Sequence, residues 1–175
     1  MAQRRIADRR RDTYFCTQLS AVMRGSALRQ TRQYIQHGDT SCLLHSVAVA
    51  YFSYRAARLL RGIAAFHERD LIRGALLHDY FLYDWHIPDP SHRLHGFRHP
   101  AKALENAQRD FVLSDIERDI IRKHMFPLTP ALPRYRESLL VSAVDKACSV
   151  SECFRRPAYP RLSARIYPVL EGSVR

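Results

Sequence analysis

Residues 68–79 read ERDLIRGALLHD, a run whose apolar positions end in Ala75-Leu76-Leu77 and are followed at once by His78 and Asp79. Apolar residues recurring at three and four positions predict a helix, here from about Glu68 to Phe81. The pattern sets an imidazole beside a carboxylate at a buried helix end. An unpaired carboxylate in that position either costs free energy or takes up a proton, so Asp79 calls for a cation.

The same period extends outward in both directions. Glycine is scarce, with six residues, and no stretch alternates apolar and polar residues over a strand length, so the chain is expected to be all-α. Residues 12–36 predict one or two amphipathic helices interrupted near Gly25, and His37-Gly38-Asp39-Thr40-Ser41 supplies a turn and a helix cap. A long helix from about Ser41 to Arg61 places His45 on a stripe with Val49, Phe52, Ala56 and Leu59. After Phe81 the prolines at 88, 90 and 100 bound a histidine-rich irregular segment, with Pro100 expected as a first helical residue. Ser114 and Glu117 form a capping box for a helix ending at His124, which shares a face with Ile120 and Ile121. Pro127, Pro130 and Pro133 precede a helix from about Arg136 to Cys153, where Asp145 shares a stripe with Val141 and Cys148.

Each inward polar residue has a structural alternative. His45 fits as a hydrogen-bonded core histidine, His124 as a cap of its own helix, and Asp145 as a partner of Arg122 or Arg134. The bland readings explain poorly why His45, His78-Asp79, His124 and Asp145 all occupy inward faces or ends of separate helices. Imidazole with carboxylate suits Mn, Fe, Co or Zn, and the lack of thiolate or many carbonyl donors disfavours structural zinc or calcium. The set reads as a catalytic metal site assembled inside a helical bundle.

The composition bounds the alternatives. The chain has 175 residues, 46% of them apolar, and Lys+Arg 28 minus Asp+Glu 17 leaves +11, so it forms one domain with a core rather than a disordered chain. No window approaches the roughly 20 apolar residues of a membrane helix, and MAQRRIADRRR lacks the apolar run of a secretory signal, so a cytoplasmic protein without a membrane partner is expected. Cys16, Cys42, Cys148 and Cys153 show no CxxC spacing and are expected as free thiols. The positive charge admits anionic partners, but dispersed arginines without a recognition motif point away from nucleic acid.

The order His45, His78-Asp79, His99, His124, Asp145 resembles the HD superfamily of metal-dependent phosphohydrolases, in a compact single-domain bacterial form. Leu-Leu-His-Asp at 76–79, His-Pro at 99–100 and Asp-Lys at 145–146 carry the resemblance across residues 45–146. The motif order is most like that of the binuclear HD-type diadenosine tetraphosphate hydrolases, and no Gly-Tyr-Pro signature of the cyclic di-GMP phosphodiesterases is present. The resemblance implies an HD-domain helical bundle at 37–155, flanked by a basic helical extension at 1–36 and a C-terminal segment at 156–175. It implies a first metal held by His45, His78, Asp79 and Asp145, and a second held by the bridging Asp79 with His99 and His124; His95 is the alternative to His99. Two divalent transition metals are implied, Fe or Mn, with Zn, Co or Mg as alternatives.

The implied activity is hydrolysis of a phosphomonoester or phosphoanhydride of a nucleotide or small phosphorylated metabolite, by a metal-bound hydroxide. The alternative is a regulatory module that binds metal or nucleotide with little or no turnover. Arg98, Lys102, Lys123 and Lys146 are candidate anion clamps, Lys146 first because it follows a ligand. Asp84 is a candidate for orienting water or capping a turn, and His86 for touching substrate. Trp85, Tyr80 and Tyr83 either stack on a base or cover the bundle, and His37, His67 and His92 are expected on the surface or in loops. The helices in 12–36 either pack on the core or form a homodimer contact.

Overall fold

The computed structural model describes residues 2–90 and 93–170, with side chains from residue 12 to residue 169. The chain is all-α: α1 (Ala2–Gly25), α2 (Cys42–Leu59), α3 (Glu68–Leu77), α4 (His95–Asp110), α5 (Asp115–Lys123), α6 (Arg136–Phe154) and α7 (Pro160–Leu170). Short 3₁₀ turns cover Leu28–Gln33 and Leu60–Gly62. A two-stranded hairpin, β1 (Ile35–His37) with β2 (Thr40–Ser41), departs from the purely helical expectation; Gly38 turns it with φ +62°. A Cβ at Gly38 would sit 2.7 Å from the Glu152 carbonyl oxygen, so the turn combines a left-handed backbone with close approach to α6.

Helix α3 lies at the centre because from Leu71 onward every residue but Arg73 is apolar or small. Leu71, Ile72, Ala75, Leu76 and Leu77 are fully buried, and each large aliphatic side chain contributes about 1.5–3 kcal/mol by leaving water. The helix packs against α2, α5 and α1, while α6 packs on α2 and α5. Phe15, Leu19 and Val22 of α1 join the same core as Leu162, Ile166 and Val169 of α7. The 12–25 helix therefore packs on the bundle, which is one of its two anticipated roles. Among the described residues no helix is long and apolar enough to cross a membrane.

Several boundaries differ from the sequence pattern. Helix α3 ends at Leu77, and His78 begins the turn that follows. Helix α4 begins at His95, so Pro100 lies inside it instead of opening it. Leu94 starts this helix from a left-handed conformation, φ 59°, and its carbonyl accepts from the Phe97 and Arg98 amides. Phe52 and Leu59 are exposed, whereas His45, Val49, Ser53 and Ala57 face inward: α2 is buried nearly all round in its first half and on a narrow face later. The capping box does form, with Ser114 Oγ accepting from the Glu117 amide at 3.1 Å and Glu117 accepting from the Ser114 amide at 2.9 Å.

Buried polar tethers join the helices that carry the candidate ligands. Glu137 of α6 accepts from the His67 amide at 2.9 Å, ahead of α3. Asn106 of α4 donates to the Tyr80 carbonyl at 2.9 Å, and the Tyr80 hydroxyl donates to Asp110 at 2.6 Å while accepting from the Ala27 amide. Asp119 of α5 accepts from Ser138 Oγ at 2.7 Å and the Arg134 amide at 2.8 Å and pairs with Lys123. Burial alone would raise its pKa, yet Lys123, Ser138 and the Arg134 amide hold it below the ordinary value. Asp119→Ala is expected to destabilise the fold by about 1–3 kcal/mol, because it leaves Ser138 and the amides of Arg134 and Tyr135 without their acceptor. The loss, read by urea denaturation near neutral pH, should shrink as pH falls through the carboxylate range, where the wild-type pair is itself protonated.

Candidate metal centre

Four histidines converge beneath a cavity, and in each the Nδ1 atom is already engaged. His45 Nδ1 faces both Glu152 oxygens at 2.9 and 3.0 Å, and His78 Nδ1 donates to the Ala75 carbonyl at 2.7 Å. His99 Nδ1 donates to the His95 carbonyl and His124 Nδ1 to the Ile121 carbonyl, both at 2.9 Å. Carbonyl and ionised carboxylate oxygens only accept, so each Nδ1 carries a proton, and each ring, when neutral, presents its Nε2 lone pair inward. Helix geometry produces three of these anchors: each carbonyl lies three or four residues before its histidine, at a helix end or within one turn.

Asp79 stands between the four rings. Its Oδ1 lies 3.1 Å from His99 Nε2 and 3.4 Å from His124 Nε2, and its Oδ2 lies 3.4 Å from His78 Nε2 and 3.7 Å from His45 Nε2. Asp145 Oδ1 adds a second carboxylate, 3.1 Å from His45 Nε2 and 3.7 Å from His78 Nε2. His45-His78-Asp79 and Asp79-His99-His124 are thus two buried donor groups, each able to hold an ion, that share one carboxylate. Donors about 2.1 Å from one ion stand roughly 3–3.5 Å apart, which matches these separations.

The electrostatics demand positive charge. With neutral imidazoles, Asp79, Asp145 and Glu152 leave three buried carboxylates, exposed by 2%, 6% and 0%. His78 Nε2 and Asp79 Oδ1 are buried without a hydrogen bond, and His99 Nε2 meets His124 Nε2 at 2.8 Å. At that distance the two nitrogens repel unless a proton lies between them or a metal ion lies against them. Burial disfavours charge on His45, but Asp145 and Glu152 hold its pKa well above the ordinary value; His78 is likewise raised by its carboxylates against burial. The Asp79 carboxyl, penalised by burial, is nevertheless held well below its ordinary range by His78, His124 and His99.

The structure brings His45, His78, Asp79, His99, His124 and Asp145 together from α2, the end of α3, α4, the end of α5, and α6. Neither Arg122 nor Arg134 takes Asp145, which faces His45 and His78 instead. His95 is outside both donor groups but lines the cavity, stacked between Trp85, at 5.1 Å, and His99, at 4.6 Å; its Nδ1 lies 2.9 Å from the Tyr83 hydroxyl. The cavity measures about 410 Å³, and Trp85, Met125, Leu128 and Lys146 form much of its wall.

The remaining candidates fall elsewhere. Lys146 lines the cavity, yet its ammonium donates to the His124 carbonyl at 2.9 Å, Ser142 Oγ at 2.9 Å and the Ser142 carbonyl at 3.2 Å. Arg98, Lys102, Lys123, Asp84 and His86 do not line it. Lys102 is exposed and pairs with Glu105, and Lys123 pairs with Asp119. Because α4 presents His99 and Ala103 inward, the preceding positions 98 and 102 turn toward solvent. Asp84 takes its turn-capping role, accepting from the His86 amide at 3.0 Å, and His86 is exposed against Trp85. Tyr80 is core, His67 is exposed, and His92 lies outside the described residues.

Sequence reasoning missed three residues around the cluster. Glu152 extends the inward stripe of Val141, Asp145 and Cys148 by four residues, so its helical phase carried the signal. Gln36, whose Nε2 donates to Asp79 Oδ2 at 2.7 Å, sits on the hairpin and had no periodic signal. His37, expected on the surface or in a loop, ends β1 at the hairpin turn, but it is half-buried and lines the cavity, 5.7 Å ring to ring from His45. Comparison with protein-family models, curated proteins and solved structures gives no match.

Elemental analysis of protein purified without chelator is expected to find about two transition-metal ions per chain. His99→Ala should remove about one and Asp79→Asn should deplete both. Glu152→Gln should weaken metal affinity roughly 10–100-fold, as losing a carboxylate behind a ligating histidine does elsewhere. Metal loading must displace protons from His45 and His78, whose pKa values are raised. The thermal stabilisation by added Mn²⁺ should therefore keep growing as pH rises above the ordinary imidazole value of about 6.5, through the raised range in which these two histidines lose their protons.

Proposed function

We propose that the chain is an HD-superfamily phosphohydrolase that cleaves a phosphomonoester or phosphoanhydride of a nucleotide or small phosphorylated metabolite. The observation that carries this reading is the sharing of Asp79: its two oxygens serve two adjacent His-rich donor groups at the base of an open cavity. Paired divalent ions in such a site supply Lewis acidity toward phosphoryl oxygens and lower the pKa of a bound water. Iron or manganese suits the mixed imidazole and carboxylate donors.

The chain's own groups divide the remaining work. Asp79 bridges the two donor groups, and Gln36 fixes its orientation through Oδ2. Lys146 is the candidate anion clamp that reaches the cavity, and it exchanges one of its three bonds to His124 and Ser142 for a phosphoryl oxygen. Until then its charge lies at the carbonyl end of α5, where it also holds His124 in place. Met125 and Leu128 narrow the cavity, and the Trp85 indole gives it a flat aromatic wall suited to a base.

A screen of nucleotides and small phosphate esters with Mn²⁺ or Fe²⁺ should find release of phosphate or of a phosphorylated product. Asp79→Ala should abolish it while circular dichroism remains helical, and turnover equal to wild type would sink the proposal. Lys146→Met is expected to lower kcat by about 10²-fold or more, as removal of a charge-stabilising donor does. Asp84→Ala should leave turnover within about threefold, because its contacts lie in the exposed turn at His86. Tight nucleotide binding without product under every reduced-metal condition would favour the regulatory module instead.

A further inference from the structure

A second, larger cavity lies between α2, α6 and α7, apart from the metal ligands. It measures about 700 Å³ and is walled by Tyr51 and Phe52 of α2, Val144 and Cys148 of α6, and Tyr159 and Leu162 at the start of α7. None of the proposed metal ligands contributes to it. The volume falls within the range of small-molecule sites, and the walls are predominantly apolar.

Among the described residues, charge in the lining is confined to the rim and has one sign: Arg155, Arg161 and Arg165 line the cavity, and no aspartate or glutamate does. Arg165 is committed to Asp12 at 2.8 Å and to the Tyr51 hydroxyl at 2.9 Å. Among the described residues, the guanidinium groups of Arg155 and Arg161 have neither an ion pair nor a hydrogen bond, and both residues are exposed. Tyr159 marks the cavity independently. It is a non-glycine residue held at φ 54°, a costly conformation that persists where its surroundings over-determine it. Its ring packs at 5.5 Å on Phe52, and its hydroxyl donates to the Cys148 carbonyl at 3.3 Å, so the strained residue shapes the cavity wall.

We propose that this cavity is a ligand site for a free long-chain carboxylate, whose apolar chain lies among the α2, α6 and α7 side chains and whose anionic head pairs with Arg155 and Arg161. A second copy of the chain is a poor occupant, because it would bring the same cationic rim and a net charge of +11 against its like. An extended nucleic-acid strand finds no use for the apolar interior.

The test is calorimetric titration of the full chain with dodecanoate below its micellar concentration, and with dodecyltrimethylammonium, which has the same chain and the opposite head charge. One saturable dodecanoate site per chain is expected, with the ammonium binding at least about tenfold more weakly. The Arg155→Glu/Arg161→Glu double variant, exposed at both positions, should weaken dodecanoate by about tenfold or more. Ala147→Trp, also exposed at the cavity margin, should obstruct the site while circular dichroism and metal content remain those of wild type. Absence of saturable binding, equal affinity for both heads, or binding indifferent to both variants would overturn the proposal. So would binding to anionic phospholipid vesicles without binding to the free amphiphile, or self-association that Ala147→Trp abolishes. The metal site is untouched by these variants, so failure here is separable from failure of the phosphohydrolase reading.

Discussion

The structure depends on a buried carboxylate surrounded by imidazoles whose outward nitrogens are already spoken for. Asp79 is 2% exposed, and every ring that faces it has its Nδ1 proton tied to a carbonyl or to Glu152. Rotating a ring to turn its Nδ1 proton toward Asp79 would break an anchor, so the carboxylate is balanced either by a second proton on the Nε2 side of a ring or by a metal ion held there. The cluster draws on five helical segments: His78 and His124 follow the ends of α3 and α5, His45 and His99 lie near the starts of α2 and α4, and Asp145 sits in the middle of α6.

The packing around the site follows from the same requirement. Helix α3 delivers His78 and Asp79 and is surrounded by α1, α2 and α5, with Gly74 allowing the last to approach closely; a Cβ there would lie 2.7 Å from Ile120 Cδ1. Glu137, Asn106 and Asp119 then join α6, α4 and α5 to their neighbours through buried hydrogen bonds. Such bonds are directional, which apolar contact is not, so they set how the helices sit once burial has brought them together. The hairpin completes the site from outside the bundle, with Gly38 against α6 and Gln36 against Asp79.

Helix α6 borders two cavities with different lining groups. Asp145 and Lys146 face the cavity of the His-Asp cluster, Glu152 holds His45 behind it, and Val144 and Cys148 face the cavity with the arginine rim. A helix with chemistry on both sides spreads its apolar and polar residues around its circumference, which is why its sequence reads as only weakly amphipathic.

The all-α class, the helical positions of His45, Asp145 and Glu152 and the capping box at Ser114 were determined by local sequence, because helical period and capping act within a few residues. The helix-end positions of His78 and His124 were equally legible from the apolar runs that precede them. Tertiary structure decided the rest. Pro100 lies inside α4 because the chain enters that helix through the left-handed Leu94, five residues earlier than proline preference indicated. Gln36 and Asp79 are 43 residues apart, and His45 and Glu152 are 107 apart, so no local pattern pairs them. Arg98 and Lys123 show the same limit from the other side: adjacency in sequence to a ligand does not place a charge in the cavity when one residue's step around a helix turns it by about 100°. Residue type and period determined which groups point inward, and only packing of separate helices determined which of them meet.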